Sequence, residues 1–165
     1  MRPALSEPAV KQLYDRDFLE WTRSNAALLR AGCFGQADME HIAEEIEDMG
    51  KSQQRALENR LSVLLAHLLK WKYQPQRRGR SWEATMELQR LKVAKLLRKM
   101  PSLRHYLAEA VTDAYPEARV MAARETRLEK GGFPESCPFT LDQILDPGFL
   151  PAPGADPAAD QLPDR

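Results

Sequence analysis

The chain has 165 residues, of which 43% are hydrophobic, and its 24 basic side chains balance its 24 acidic ones. This composition predicts one ordinary folded domain and argues against both global disorder and two full domains. The two cysteines, Cys33 and Cys137, are too few for a disulfide framework or a four-thiolate zinc site, and no apolar run approaches the roughly 18 residues of a membrane span. We therefore expect a cytoplasmic protein without a membrane segment.

In the first third of the chain, the spacing of apolar residues predicts two helices. The first covers residues 14–31, and Gly32 is expected to end it. The second begins at Asp38, a good N-cap residue, and is expected to end at Gly50. Four large apolar residues follow one face of this second helix, namely Met39, Ile42, Ile46 and Met49.

Three or four further helices are predicted in the middle of the chain. Residues 51–73 show the clearest amphipathic pattern, with leucines three and four positions apart. The next helix is expected from Ser81 to Met100. Residues 103–114 form another amphipathic stretch. Because proline cannot donate a helical hydrogen bond, Pro116 is expected either to kink that helix or to begin a new one that reaches about Leu128.

The character of the sequence changes after Gly132, where prolines recur every few residues. Thr140 and Gln143 have the spacing of a capping box, which predicts one short helix. The segment that contains this helix is expected to dock on the bundle as a strap, through Phe133 and Phe139.

Together these patterns predict an all-α fold, a bundle of five to six main helices with a short C-terminal helix and strap. The helical domain is expected to cover residues 14–150, after an N-terminal extension at 1–13. Residues 151–165 contain almost nothing to bury, and we expect them to form a disordered tail.

Several blocks of sequence, in order and without large gaps between residues 14 and 150, point to one family. Four of them are YDRDFLEWT, AEEIEDMG, LLAHLLKWKYQP and FPESCPFTLDQIL. They resemble a bacterial family, frequent in cyanobacteria, that is called domain of unknown function twenty-nine. The resemblance implies an all-helical fold, carries no assigned activity and transfers no catalytic residue.

Charge is unevenly distributed along the chain. Residues 70–104 carry 11 basic and 2 acidic side chains, a net charge of +9, with tryptophan and tyrosine interspersed. Such a segment is suited to holding phosphates while its aromatic rings stack on bases. The candidate nucleic-acid-binding residues are Lys70, Lys72, Arg77, Arg78, Arg80 and Arg90. In the alternative interpretation these cations pair with neighbouring acidic helices and the tryptophans belong to the core.

Three polar residues at the edges of apolar helix faces form a candidate metal site. If the second and third predicted helices face each other, Asp38, Glu45 and His67 converge between them. The chain has no Glu-x-x-His element of the kind that builds metal centres in helix bundles. Hydrogen-bonded or ion-paired groups that join two helices are the commoner explanation. His41 is placed on the outer side of its helix.

The sequence contains no catalytic signature that we recognise. It has no Gly-x-Ser-x-Gly elbow, phosphate-binding loop or dinucleotide fingerprint, so we predict no catalytic residue and no cofactor. The leading hypothesis is therefore a helical binding or regulatory module for a protein partner rather than an enzyme. Nucleic-acid binding by residues 70–104 is the first alternative, and a metal-dependent activity at Asp38, Glu45 and His67 is the second.

Overall fold

The computed structural model describes residues 7–154, except for the side chain of Glu7. Within this range the chain forms helices and no strand, which confirms the all-α class. The six α-helices are α1 (Glu7–Arg16), α2 (Phe18–Arg30), α3 (Met39–Tyr73), α4 (Arg80–Lys99), α5 (Leu107–Thr126) and α6 (Leu141–Leu145). None of the described helices is long and apolar enough to cross a bilayer. Of the expected disordered tail, residues 155–165 lie outside the described residues. Residues 151–154 pack on the fold instead, because Pro151 is buried and the backbone N–H of Gly154 donates to the carbonyl of Lys72 at 2.9 Å.

The chain divides after Ser52 into two compact units. The first unit contains α1, α2 and the beginning of α3, and the second contains the rest of α3 together with α4, α5 and α6. Because α1 begins at Glu7, residues 7–13 are helical, although the sequence placed them in an extension. Among the described residues of the first unit, the apolar interior is small and made by Val10, Trp21 and Ala37.

The first predicted helix is divided in two at Asp17. The backbone of Asp17 is not helical, and its carboxylate accepts a hydrogen bond of 3.0 Å from the backbone N–H of Glu20. An aspartate that caps the following turn competes with continuation of the preceding helix. The expected stop at Gly32 is confirmed, since this glycine has a positive φ of 72° just after the C-cap of α2.

The second and third predicted helices are one continuous helix of 35 residues, α3. The prediction that Gly50 ends a helix is therefore wrong. A glycine in an exposed helix interior costs only about 1 kcal/mol relative to alanine. The strong helix formers on both sides of Gly50, mainly glutamate, lysine, glutamine, arginine and leucine, offset that cost.

The core of the second unit lies around the C-terminal half of α3. Leu57, Leu61, Leu64, Leu65 and Leu68 of this helix are fully buried. They form one cluster of 22 buried apolar residues with side chains from α4, α5 and the segment after α5. At about 1.5–3 kcal/mol for each buried leucine, this cluster dominates the stability of the unit.

Helix α5 continues through Pro116, so no new helix begins at that residue. The helix starts at Leu107, after a 3₁₀ turn formed by Pro101–Tyr106. The carbonyl of Thr112 has no helical partner, because Pro116 has no N–H to donate to it. Both residues are exposed. Water can therefore satisfy the freed carbonyl, which lowers the cost of an internal proline.

The predicted strap packs against the second unit. Phe133, Phe139 and Ile144 are buried in the common apolar cluster. The capping box is confirmed, because Thr140 and Gln143 exchange hydrogen bonds between side chain and backbone at the start of α6.

Candidate interaction site

A buried carboxylate organises the first unit. Asp38, fully buried, immediately precedes α3. Its Oδ2 accepts a hydrogen bond of 3.0 Å from the indole Nε1 of Trp21 and lies 2.7 Å from Nδ1 of His41. The backbone N–H of Asp38 donates to the side chain of Asn25 at 2.8 Å. Asn25 in turn donates to the carbonyl of Trp21, so α2 and the start of α3 are joined by side chains of both.

Tyr14 joins α1 to the same cluster. Its ring stacks on the ring of His41 with 4.0 Å between centroids. Its hydroxyl donates to Oε1 of Glu45 at 2.6 Å. The hydrogen bond to Glu45 raises the pKa of Tyr14 to about 12, so this phenol stays protonated under ordinary conditions. The three helical segments of the first unit are therefore joined by polar and aromatic contacts rather than by a large core.

The ionisable groups of this cluster have shifted pKa values. Burial by itself would raise the pKa of Asp38, but hydrogen bonds from Trp21 and His41 outweigh it and hold that pKa below its ordinary value. The hydrogen bond to Asp38 raises the pKa of His41. Both shifts favour the charged forms of the pair, as expected for an ion pair that holds a helix terminus in place.

The three residues of the proposed metal site do not assemble as expected. Glu45 and His67 lie on the same helix, α3, 22 positions apart in the sequence. They cannot face each other across a gap between two helices, so the geometry assumed for this site is wrong. His67 Nδ1 is 2.9 Å from the carbonyl of Val63. Within residues 7–154, no three His, Cys, Asp or Glu side chains are grouped closely enough to hold a metal ion.

Two of the six candidate nucleic-acid-binding residues are buried and hold the second unit together. The ammonium group of Lys70 pairs with the carboxylate of Glu125 and lies 4.5 Å from the ring centroid of Trp82. The guanidinium of Arg90 donates to four backbone carbonyls of the strap. These belong to Gln143, Ile144, Pro147 and Phe149. The expectation that Lys70 and Arg90 present their charges to phosphates is wrong, because internal acceptors already bind both cations.

The other four candidates lie at or near the surface. Arg78 is partly used internally, since its Nε donates to the carbonyl of Trp71 at 2.7 Å and its guanidinium covers the Trp71 ring. Lys72 is half-buried, with its ammonium 5.9 Å from the ring centroid of Tyr73. Arg77 and Arg80 are exposed. The basic segment therefore keeps part of its charge at the surface and uses part of it to hold the fold.

The most unusual surface belongs to residues 8–52 of the first unit, which expose more large apolar side chains than they bury. These side chains are 47–68% exposed, and they are Phe18, Leu19, Phe34, Met39, Ile46 and Met49. Three of them lie on α3 in the pattern already noted from the sequence. Together with the half-buried Ile42 they form what we call the α3 stripe, consisting of Met39, Ile42, Ile46 and Met49.

The comparisons with known proteins identify the family. The family model described as Domain of unknown function DUF29 matches residues 13–150. The chain belongs to this family. A search of curated proteins finds no match, and a search of solved structures finds none. Membership in the DUF29 family agrees with the resemblance noted from the sequence blocks, and it leaves the function to be argued from the side chains.

Sequence reasoning missed the role of His41 and the exposure of the α3 stripe. The order Asp-x-x-His at a helix start places the histidine over the capping carboxylate, and this local signal was available at Asp38 and His41. The donors Trp21 and Asn25 come from another helix and leave no comparable local pattern. The exposure of the stripe could not be read from periodicity, which locates an apolar face but not what covers it.

Proposed function

We propose that this DUF29 protein is a helical binding module whose first unit docks on a helix of a protein partner. One observation carries the proposal, namely that residues 7–52 leave six large apolar side chains exposed around a minimal interior. A contiguous exposed apolar surface on a folded protein is typical of an interaction site.

The spacing of the α3 stripe favours a helix as the partner. Its four residues are separated by three, four and three positions, the repeat that forms the seam between two packed helices. An opposing helix of about three turns can place its own apolar residues along this seam. The cluster around Asp38 fixes the beginning of α3, so the stripe is held ready and little ordering is needed on binding.

The charge of the first unit favours a basic partner helix. Residues 7–52 carry 10 acidic and 5 basic side chains. Glu40, Glu44 and Glu47 are exposed on the side of α3 away from the stripe, and Glu45 lies at the edge of the stripe. The expected partner is therefore an amphipathic helix with an apolar stripe and with lysine or arginine nearby, which would be guided to the site by opposite charge.

The expected affinity is moderate. Burial of a large apolar side chain contributes about 1.5–3 kcal/mol, and the four residues of the α3 stripe are already partly covered, so each adds about 1 kcal/mol or slightly more. The gross gain of about 4–6 kcal/mol must offset an association cost of about 4 kcal/mol or more. A reversible, regulatory interaction fits this balance better than a permanent complex.

The test is site-specific photo-crosslinking in a lysate of the source cells. The variant Ile46→p-benzoylphenylalanine places the reactive group on the stripe, and Val120→p-benzoylphenylalanine is the matched control, because Val120 is 49% exposed on α5. We expect an adduct from position 46 whose crosslinked peptide is a basic amphipathic helix, and we expect Met49→Glu to abolish it. Equal adducts from both positions, or none from position 46, would refute the proposal.

A second candidate function is nucleic-acid binding, favoured by the cations of residues 70–104 that stay exposed. They include Arg77 and Arg80 near the start of α4 and Lys95, Arg98 and Lys99 at its end. Phosphate binding at such a surface weakens steeply with salt. We expect that, if this function exists, affinity for single-stranded or duplex nucleic acid falls at least tenfold between about 50 and 200 mM salt and is lost in Arg77→Glu/Arg80→Glu. Absence of binding at low salt would eliminate it.

A further inference from the structure

A lysine, a histidine and a glutamate meet in the second unit, where the end of α3 lies against the end of α5. The side chain of Lys70 is 4% exposed, and its ammonium group pairs with the carboxylate of Glu125. The same ammonium group lies 3.4 Å from Nε2 of His67 and 4.5 Å from the ring centroid of Trp82. We call Lys70, His67 and Glu125 the Lys70 cluster.

The hydrogen bonds of His67 determine which of its ring nitrogens carries the proton. Nδ1 lies 2.9 Å from the carbonyl of Val63, which can only accept, so Nδ1 carries the proton. Nε2 then has a free lone pair, which faces the ammonium of Lys70, a group that can only donate. Burial and then the charge of Lys70 lower the pKa of His67, against the opposite effects of the Val63 hydrogen bond and of Glu125. At neutral pH the imidazole is therefore uncharged and is the second acceptor of Lys70.

A proton on His67 would upset the charge balance of the cluster. Two charged groups act on His67, namely Lys70 of its own helix and Glu125 of α5, and α4 contributes the uncharged ring of Trp82. Lys70 and Glu125 balance each other while His67 is neutral. Protonation of Nε2 removes an acceptor from Lys70 and places two cations 3.4 Å apart beside one carboxylate. An unbalanced charge in a largely buried cluster is unfavourable, so water must enter to solvate it.

We propose that the Lys70 cluster is an acid-sensitive latch, which holds the last turn of α5 on α3 at neutral pH and releases it when His67 is protonated. The last turn of α5 is the part that moves, because Lys70 is enclosed whereas the side chain of Glu125 is 36% exposed. Gln74 also holds this turn, since its side chain donates to the carbonyl of Thr126 at 3.2 Å. A helix terminus opens at lower cost than a buried helix interior.

The pH range of the release follows from the direction of the pKa shift. Because the pKa of His67 is lowered, the release occurs below about pH 6.5, the ordinary pKa of histidine. Ordinary carboxyl groups stay ionised down to about pH 5, so a comparison of about pH 7.5 with about pH 5 isolates the histidines. The chain has three of them, His41, His67 and His105. The latch lies in the second unit and does not depend on the partner proposed for the α3 stripe.

The experiment is NMR spectroscopy of the full chain, with the ring titration of each histidine and ¹⁵N relaxation of the backbone amides. We expect the His67 ring to titrate below about pH 6.5. Order parameters of amides 124–127 should fall from about 0.85, typical of rigid backbone, to below about 0.6. This fall should have the same midpoint as the ring titration. If amides 124–127 stay ordered at about pH 5, or if His67 titrates at or above the ordinary value, this inference is wrong.

Three variants separate the latch from a general effect of acid. His67→Gln keeps an acceptor for Lys70 but takes up no proton, so amides 124–127 should stay ordered at both pH values. His105→Gln is the matched control, because His105 is exposed in the turn before α5, and it should behave like the unchanged protein. Lys70→Met should raise the pKa of His67, because it removes the neighbouring cation. Circular dichroism checks that every variant is folded. Equal loss of order in His67→Gln and in the unchanged protein would overturn the proposal.

Discussion

The substitution Arg90→Leu tests whether a cation of the basic segment is a structural clamp. Arg90 is 5% exposed, and its guanidinium donates to four carbonyls of the strap. Leucine fills part of the same space but donates nothing. The four carbonyls then have no hydrogen-bond donor. This loss lowers the free energy of unfolding whether the strap remains docked or detaches.

The magnitude follows from the bond lengths. Two of the four bonds, to Ile144 and Phe149, are 2.9 Å long, and the other two are 3.3 and 3.4 Å, near the limit for a hydrogen bond. A hydrogen bond from a charged donor contributes about 1.5–3 kcal/mol. Counting only the two short bonds gives a loss of about 3–6 kcal/mol in the free energy of unfolding. Arg90→Lys should recover part of it, because one ammonium can reach some of the four acceptors.

Urea unfolding followed by circular dichroism measures this loss. With a slope of about 1–3 kcal/mol per molar for a unit of this size, the midpoint should fall by about 2 M. Arg98→Leu is the matched control, because Arg98 is an exposed arginine on the same helix, and its effect should stay within about 0.5 kcal/mol. A loss below about 1 kcal/mol for Arg90→Leu would refute the assignment of Arg90 as a clamp.

Three further predictions concern buried or paired groups. Trp21→Phe removes the indole donor of the buried Asp38 carboxylate and should lower the free energy of unfolding by about 1–3 kcal/mol in urea, whereas a neutral effect would mean that another donor replaces it. Lys70→Met keeps the apolar stem but leaves Glu125 without its cation, so the free energy of unfolding should fall by about 1–3 kcal/mol. Any affinity for nucleic acid should stay unchanged. A loss of that affinity without a loss of stability would show that Lys70 contacts phosphate. The pair of Asp38 and His41 stabilises the fold most between about pH 4 and about pH 6.5, because folding raises the pKa of His41 and lowers the pKa of Asp38. This contribution is lost at higher pH as His41 deprotonates and at lower pH as Asp38 is protonated, so thermal unfolding between pH 3 and 9 should lose part of its pH dependence in His41→Gln.

The helical fold was largely predictable because it depends on local patterns. The leucine spacing of 51–73 and the capping box at Thr140 describe interactions within a few residues, and both are confirmed. The errors occurred where two local tendencies compete. At Gly50 neighbouring helix formers outweigh one glycine, and at Asp17 a cap outweighs the apolar pattern that runs through it.

The polar contacts were harder to predict because their partners are distant in sequence. Arg90 finds its acceptors more than 50 residues away, and Lys70 finds Glu125 at a similar separation. Charge density in the sequence says how many cations are present but not which of them have internal acceptors. The proposed convergence of Glu45 and His67 assumed that a helix ends at Gly50, and this boundary was misplaced.

The continuity of α3 gives its two halves very different rates of amide hydrogen exchange. Amides between Leu57 and Trp71 lie among fully buried leucines, so they should exchange only when the whole second unit opens. Amides from Met39 to Gly50 have far less buried surface above them and should exchange by local fraying. The slowly exchanging amides of α3 therefore serve as an internal reference for the fast ones on the same helix. Anything that covers the α3 stripe should slow hydrogen exchange between Met39 and Gly50 and leave exchange between Leu57 and Trp71 unaltered.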